Sequence, residues 1–206
     1  MKNVLKSAVA FCLVCFFMQA TAQVRFGPKI GMNFSKMTLK ASGISIDPKI
    51  LVGFNVGMIA EFPVGNNFVI QPGLLFSSKG SKYSLQGESA KIAPSFIELP
   101  INGVYKLDMS SAQLMFFAGP YFGYGIGGSV KSGSESYDIS WGTGSDNDLK
   151  PFDFGLNIGA GVEISNFLIS AQYGIGMANL VTDGSSDTEM KNKVLGISMA
   201  YIIGGK

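Results

Sequence analysis

Along most of this chain apolar side chains occupy every second position. From Asp153 to Ile164 one alternating set reads Phe154, Leu156, Ile158, Ala160, Val162, Ile164, and the other reads Asp153, Gly155, Asn157, Gly159, Gly161, Glu163. Successive side chains of a strand point to opposite faces, so this segment has one greasy face and one polar or small face. After Ser165-Asn166 the alternation resumes with Phe167, Ile169, Ala171, Tyr173, Ile175 and Met177 opposite Ser170, Gln172, Gly174 and Gly176, which predicts a hairpin. The same pattern predicts strands at about 24–35, 54–62, 68–83, 95–107, 113–128 and 193–203, giving eight in all.

The connections alternate in length. Those at 63–67, 108–112 and 165–166 are short, whereas those at about 36–53, 84–94, 129–152 and 178–192 are longer and rich in Ser, Gly, Asp and Lys. Outer-membrane barrels have short periplasmic turns and longer external loops, and eight strands with both ends periplasmic require three turns and four loops.

Composition separates this reading from a soluble all-β protein. Charged residues make up 15% of the chain, against roughly 25% in ordinary globular domains, while aromatics reach 12% and glycines number 27. No stretch after residue 22 is apolar for long enough to cross a bilayer as a helix, and the other structure that pairs every backbone group in lipid is a closed barrel. In a lipocalin-like barrel or a sandwich the apolar face would turn inward and the glycines and charges outward. Inward glycines and charges suit a polar lumen. The expected fold is therefore all-β: an eight-stranded antiparallel up-and-down transmembrane β-barrel.

The first 22 residues differ from the rest. Lys2 and Lys6 precede an apolar run from Ala8 to Met18, with small residues at Ala20 and Ala22, as in a signal peptide cleaved before Gln23. The expected organisation is a signal peptide at 1–22 and a barrel domain at 23–206, exported to a bacterial outer membrane. Both cysteines, Cys12 and Cys15, fall in the segment to be removed, and the chain has no histidine. Thiolate chemistry and the commonest metal ligand and general base are absent from the mature part. The net charge of +2 is carried by Lys2 and Lys6, so residues 23–206 are balanced and offer no basic excess for nucleic acid.

The inward face gathers Arg25, Lys29, Lys79 and Lys106 with Glu61, Glu98, Asp153 and Glu163. An eight-stranded barrel is just wide enough for side chains to fill. These charges are therefore expected to form a structural network that plugs the lumen, with Lys29 and Glu61 as a candidate pair. A Glu98–Glu163 acid/base pair is the weaker alternative, and without histidine no enzyme and no cofactor is expected. Gly123 to Gly128 resembles a phosphate loop only superficially, because its glycines alternate along a strand and make room for bulky interior side chains. Asp146-Asn147-Asp148, in a loop that also carries Glu135 and Asp138, lacks the spacing of an EF-hand and reads as a solvated acidic loop. Trp141, the single tryptophan, with Asp146 and Asp148, is a candidate external-loop contact for a ligand or partner; an interfacial anchor is the competing reading for the tryptophan.

Several stretches stand in order along the chain: Gly27-Pro28-Lys29-Ile30-Gly31-Met32-Asn33-Phe34-Ser35, Ile70-Gln71-Pro72-Gly73-Leu74-Leu75-Phe76, Phe96-Ile97-Glu98-Leu99-Pro100-Ile101, Ala118-Gly119-Pro120-Tyr121, Phe152-Asp153-Phe154-Gly155, Tyr173-Gly174-Ile175-Gly176-Met177 and Lys191-Asn192-Lys193-Val194-Leu195. Together they resemble the PorT-type family of small outer-membrane β-barrels. The resemblance implies an eight-stranded barrel in the outer membrane of a two-membrane, Gram-negative bacterium, in a family whose namesake is linked to protein secretion. One departure is the continuation past Tyr201 to Gly204-Gly205-Lys206, where barrels of this kind often finish on an aromatic residue. The function expected is that of a surface binding or accessory protein acting through its external loops. The alternative is a component of a secretion or envelope complex, and a membrane-surface enzyme is the remote third. Its partners would be outer-membrane lipids and envelope or secretion proteins, with the chain alone or within a complex.

Overall fold

The computed structural model describes residues 24–41, 44–46, 48–85, 88–133, 135–144, 146–182 and 188–205. The expected signal peptide at 1–22 lies outside the described residues. The strands are β1 (Arg25–Ala41), β2 (Ile44–Ile46), β3 (Lys49–Pro63), β4 (Phe68–Ser78), β5 (Ser81–Leu85), β6 (Glu88–Asp108), β7 (Gln113–Ser132), β8 (Glu135–Asp138), β9 (Phe152–Ile164), β10 (Phe167–Gly176) and β11 (Thr188–Tyr201). All neighbouring pairs are antiparallel. β1 pairs with β3 on one side and β11 on the other, so the sheet closes on itself. β4 and β5 together form one stave between β3 and β6, which makes eight staves. β2 and β8 are outgrowths that pair with β1 and β7 respectively.

Local chemistry sets the breaks. The two-residue turn at Ser165-Asn166 places Ser165 at a φ of 55°, as tight hairpin turns require, and the Asn166 side chain donates to the Ile202 carbonyl at 2.6 Å. Gly80 separates β4 from β5 at a φ of 145°. A Cβ there would lie 2.0 Å from the Ile92 carbonyl oxygen, so only glycine lets the stave change course without pushing its neighbour away.

In the lower part of the wall the two faces are as the alternation predicts. Outward positions are apolar and bare: Ile158 is 61% exposed, Leu74 59% and Ile30 58%. A continuous apolar exterior of this extent is what lipid covers. Aromatic pairs lie near the turn end, with Phe68 and Tyr105 at 4.9 Å and Phe167 and Tyr201 at 5.0 Å between ring centroids. The turn end also carries the start of β1 and the end of β11, so it is periplasmic in barrels of this class.

The strands run further on the external side than their alternation suggests. β1 continues to Ala41, β6 begins at Glu88, β7 reaches Ser132 and β11 begins at Thr188, which shortens the expected loops. The physical reason is an inversion of polarity. In this collar the inward positions are apolar, among them Met37, Ile92, Val130 and Met190, and Lys36, Lys91, Lys131 and Lys193 lie between or beside them in sequence, on the opposite face. The hydrogen-bond ladder persists, while the lipid-facing pattern that announced it stops at the edge of the bilayer.

Replacing Ile158 by Arg, on the lipid-facing side of β9, is expected to cost on the order of 2 kcal/mol in urea unfolding from phospholipid vesicles. An unchanged midpoint would mean that this face is not in lipid.

Candidate functional site

Two chemical environments follow from the fold: the lumen, and the external mouth with its loops. In the periplasmic half of the lumen Glu61 accepts a salt bridge from Lys106 at 2.7 Å and from Arg25 at 3.3 Å. Glu163 is shared by the same two cations, lying 3.2 Å from Lys106 and in direct contact with Arg25. Gln71 donates to the other Glu61 oxygen at 3.1 Å. Two cations thus face two carboxylates, and Ile59, Val69, Val104, Met115, Phe117, Leu168, Ala200 and Ile202 form the apolar cluster of this half. Strand register explains the grouping: Arg25 lies opposite Glu61 on β3, and Glu163 opposite Gln113 at the foot of β7.

In the middle of the lumen Lys79 bridges Glu98, in direct contact, and Asp153 at 2.9 Å. The ammonium also sits 4.8 Å from the centre of the Phe96 ring and 4.7 Å from that of Tyr121. Asp153 is fully buried and accepts hydrogen bonds from Asn192 at 2.9 Å and Tyr121 at 3.3 Å on the same oxygen. One cation against two carboxylates leaves this group a net negative charge. Lys29 supplies the balance at one remove. It is buried at 7% exposure, and its side chain reaches Gln172 at 3.4 Å.

The eight inward charges therefore divide into one group of four, one group of three and a separate lysine. The expected pairing of Lys29 with Glu61 does not occur, because Lys29 lies opposite Gly57 and Glu61 opposite Arg25. Glu98 and Glu163, the weaker alternative as an acid/base pair, belong to different charge groups and share no cation among the described residues. Sequence reasoning passed over Tyr121, Gln71, Gln172 and Asn192 as partners of the charges. The inward parity of Tyr121, Gln71 and Gln172 was legible, but the strand they would meet across the lumen was not, and Asn192 fell in the expected loop 178–192. The cavity between Asn33, Asn55, Ser77, Lys79, Glu98 and Gln172 measures only about 20 Å³, room for about one water.

The external mouth is closed by a second apolar cluster of Met37, Phe96, Ile139, Leu149, Ala178, Leu180 and Met190. Trp141, expected as an external contact, turns down onto it. Its ring packs edge-on against Phe96 at 5.4 Å, and its backbone bridges Leu149. Gly125 provides the slot: a Cβ there would lie 2.3 to 2.5 Å from the Trp141 ring. Burial of apolar area wins over display of the indole in water. Asp146 and Asp148 do remain exposed, and Asp148 accepts from the Ser140 amide at 2.8 Å. β8 also stands in solvent, with all four residues exposed.

Residues 17–182 match the model of a family described as outer membrane protein beta-barrel domain. Among solved structures, the outer membrane protein OprG from Pseudomonas aeruginosa shares 10% identity over 89% of this chain and 98% of its own, with a TM-score of 0.51. Neisserial surface protein A shares 14% over 85% and 96%, with a TM-score of 0.46. Ail of Yersinia pestis, solved in complex with the heparin analogue sucrose octasulfate, shares 18% over 88% and 99%, with a TM-score of 0.41. At these identities the likeness to OprG speaks to the fold alone. Comparison with curated proteins gives no match.

Glu61→Gln leaves two lumenal cations sharing one carboxylate and is expected to destabilise the barrel by about 3 kcal/mol in urea unfolding. Lys29→Met, which removes no ion pair, should cost less; an equal or larger loss would show that Lys29 is a full member of the network. Gly125→Val should push the indole off Phe96, so Trp141 emission shifts to the red and iodide quenching increases while the barrel still inserts. Unchanged fluorescence would show that the lid is not seated as described.

Proposed function

This chain belongs to the outer membrane protein beta-barrel domain family, and we propose that it serves in the bacterial outer membrane as a surface binding or accessory protein acting through its external loops, without catalysis. The observation that carries this reading is the filled lumen. From the middle of the lumen outward, paired charges, a cavity of about 20 Å³ and an apolar lid leave little room for passage, so the chemistry accessible from outside the cell is displaced to the loops. There the segment from β7 through β8 to Leu149 projects Tyr137, 52% exposed, together with Glu135, Asp138, Asp146 and Asp148. It carries no basic residue between 132 and 149. β8 is bonded to β7 on one side only, and an open strand edge offers backbone donors and acceptors to a partner. The lumenal charges, on this reading, are structural.

A second reading, as a component of an envelope or secretion complex of the PorT type, is favoured by the periplasmic mouth and by the ordered stretches noted above. Two open recesses lie at this mouth and reach the periplasmic charge group, one of about 460 Å³ lined by Arg25, Glu61, Lys106, Asn67 and Asp108 and one of about 530 Å³ lined by Arg25, Glu163, Ser165 and Asn166, and a periplasmic partner could seat there.

Replacing residues 132–148 by a short Gly/Ser link should abolish cross-linking to the external partner in native outer membranes while the barrel still inserts. If the same cross-linked product persists, the loop is not the binding element, and a stable partner attached from the periplasmic side would establish the second reading instead.

A further inference from the structure

Basic residues outside the lumen are distributed unequally. The three periplasmic turns, 63–67, 108–112 and 165–166, contain none, whereas the external collar carries a succession of lysines on neighbouring strands. Lys49 on β3 is in register with Lys82 on β5, Lys82 with Lys91 on β6, and Lys91 with Lys131 on β7. On the adjoining staves, Lys36 on β1 is in register with Lys193 on β11. Lys49, Lys82, Lys131 and Lys193 are exposed and Lys91 is half-buried.

Cross-strand neighbours in direct register have their Cβ atoms about 5 Å apart, and like charges so placed destabilise a sheet. Among the described residues, Lys49, Lys82, Lys91, Lys131 and Lys193 form no ion pair. In the second group, Lys191 is held by Glu189 at 3.0 Å. Lysines often protect free sheet edges, but β5, β6 and β7 are each paired on both sides, so edge protection does not account for this row.

We propose that the lysine collar docks the phosphorylated headgroups of the outer-leaflet lipid. The position selects this source. The lysines stand directly beyond the apolar band, on the extensions of strands whose lower halves are in lipid: Lys193 is followed on the same face by Leu195 and Ile197, and Lys36 is preceded by Phe34 and Met32. A charged surface attracts basic segments only within about a Debye length, and these side chains rise from the wall that the headgroups surround. The acidic residues of the 132–149 loop lie beyond the row in sequence, where they repel the same surface and hold the loop away from it. The collar thus fixes the depth of the barrel and keeps its binding loops clear of the membrane.

The test compares the mature protein with the variant Lys82→Gln/Lys91→Gln/Lys131→Gln in vesicles of phosphatidylcholine alone and in vesicles containing one-fifth phosphatidylglycerol. In the native protein, anionic lipid should raise the thermal unfolding midpoint by on the order of 5 °C, and 1 M NaCl should erase the gain. In the variant the gain should fall to a small remainder. In neutral vesicles the variant should be at least as stable as the native protein, because the repulsion is relieved; this crossing distinguishes lost binding from a damaged fold. Equal gains in both proteins, or none in the native one, would overturn the proposal. So would an equal gain in neutral vesicles from soluble inorganic phosphate, which would assign the row to a free anion rather than a lipid surface.

Discussion

In hydrocarbon a backbone N–H or C=O has no water to turn to, and leaving one unpaired costs several kcal/mol. A sheet that crosses the bilayer therefore has to bring its last strand back to its first. Here β1 satisfies β11 and β3 together, and the pairing of Phe26 with Ile203 carries the closure to the periplasmic rim. Once eight staves are closed, the size of the interior is settled, and every inward side chain has to find its partner within that narrow bore. The charge groups around Glu61 and Asp153, the glycine slot beneath Trp141 and the small size of the central cavity all follow from that one requirement.

The interior resolves its charges in layers rather than in isolated pairs. Near the periplasm two cations and two carboxylates are cross-linked through shared oxygens, so each ion has more than one counter-charge. At the centre a single ammonium lies between two carboxylates and two aromatic faces, which offset its loss of hydration. Above this the polar interior gives way to an apolar lid. The lid covers the central group from the external side, and its outer rim leads into the loops, so the part of the molecule that meets other molecules is built on the part that seals it.

The fold was legible where lipid imposes a pattern. Phe154 to Ile164 can be read as a strand from its residues alone, and so can the inward parity of Asp153 and Glu163. The collar was not legible, because its outward positions turn polar just as its inward ones turn apolar, so Met37, Ile92 and Met190 look like loop residues. The partners of Lys29 and Glu61 were also hidden. Parity says which face a side chain takes, but strand register and the way side chains meet across the lumen decide which charges touch. Trp141 illustrates the same limit at the external mouth: its loop reads as polar, and only the apolar cluster assembled from five separate segments gives the indole a place to go.

The contact between Arg25 and Glu163 joins residues 138 apart in sequence. Arg25 opens the first strand, whereas Glu163 closes the sixth stave, and Lys106 between them serves both Glu163 and Glu61. A chain released in parts, with only its early hairpins formed, would hold Arg25 and Glu61 against lipid without their full complement of counter-charges. Such a partial sheet is excluded from the hydrocarbon until the later strands arrive, and loop closure over that distance is slow. The charge group thus makes entry into the membrane an event of the whole chain, in which the time spent waiting at the surface is set by the last strands to be delivered.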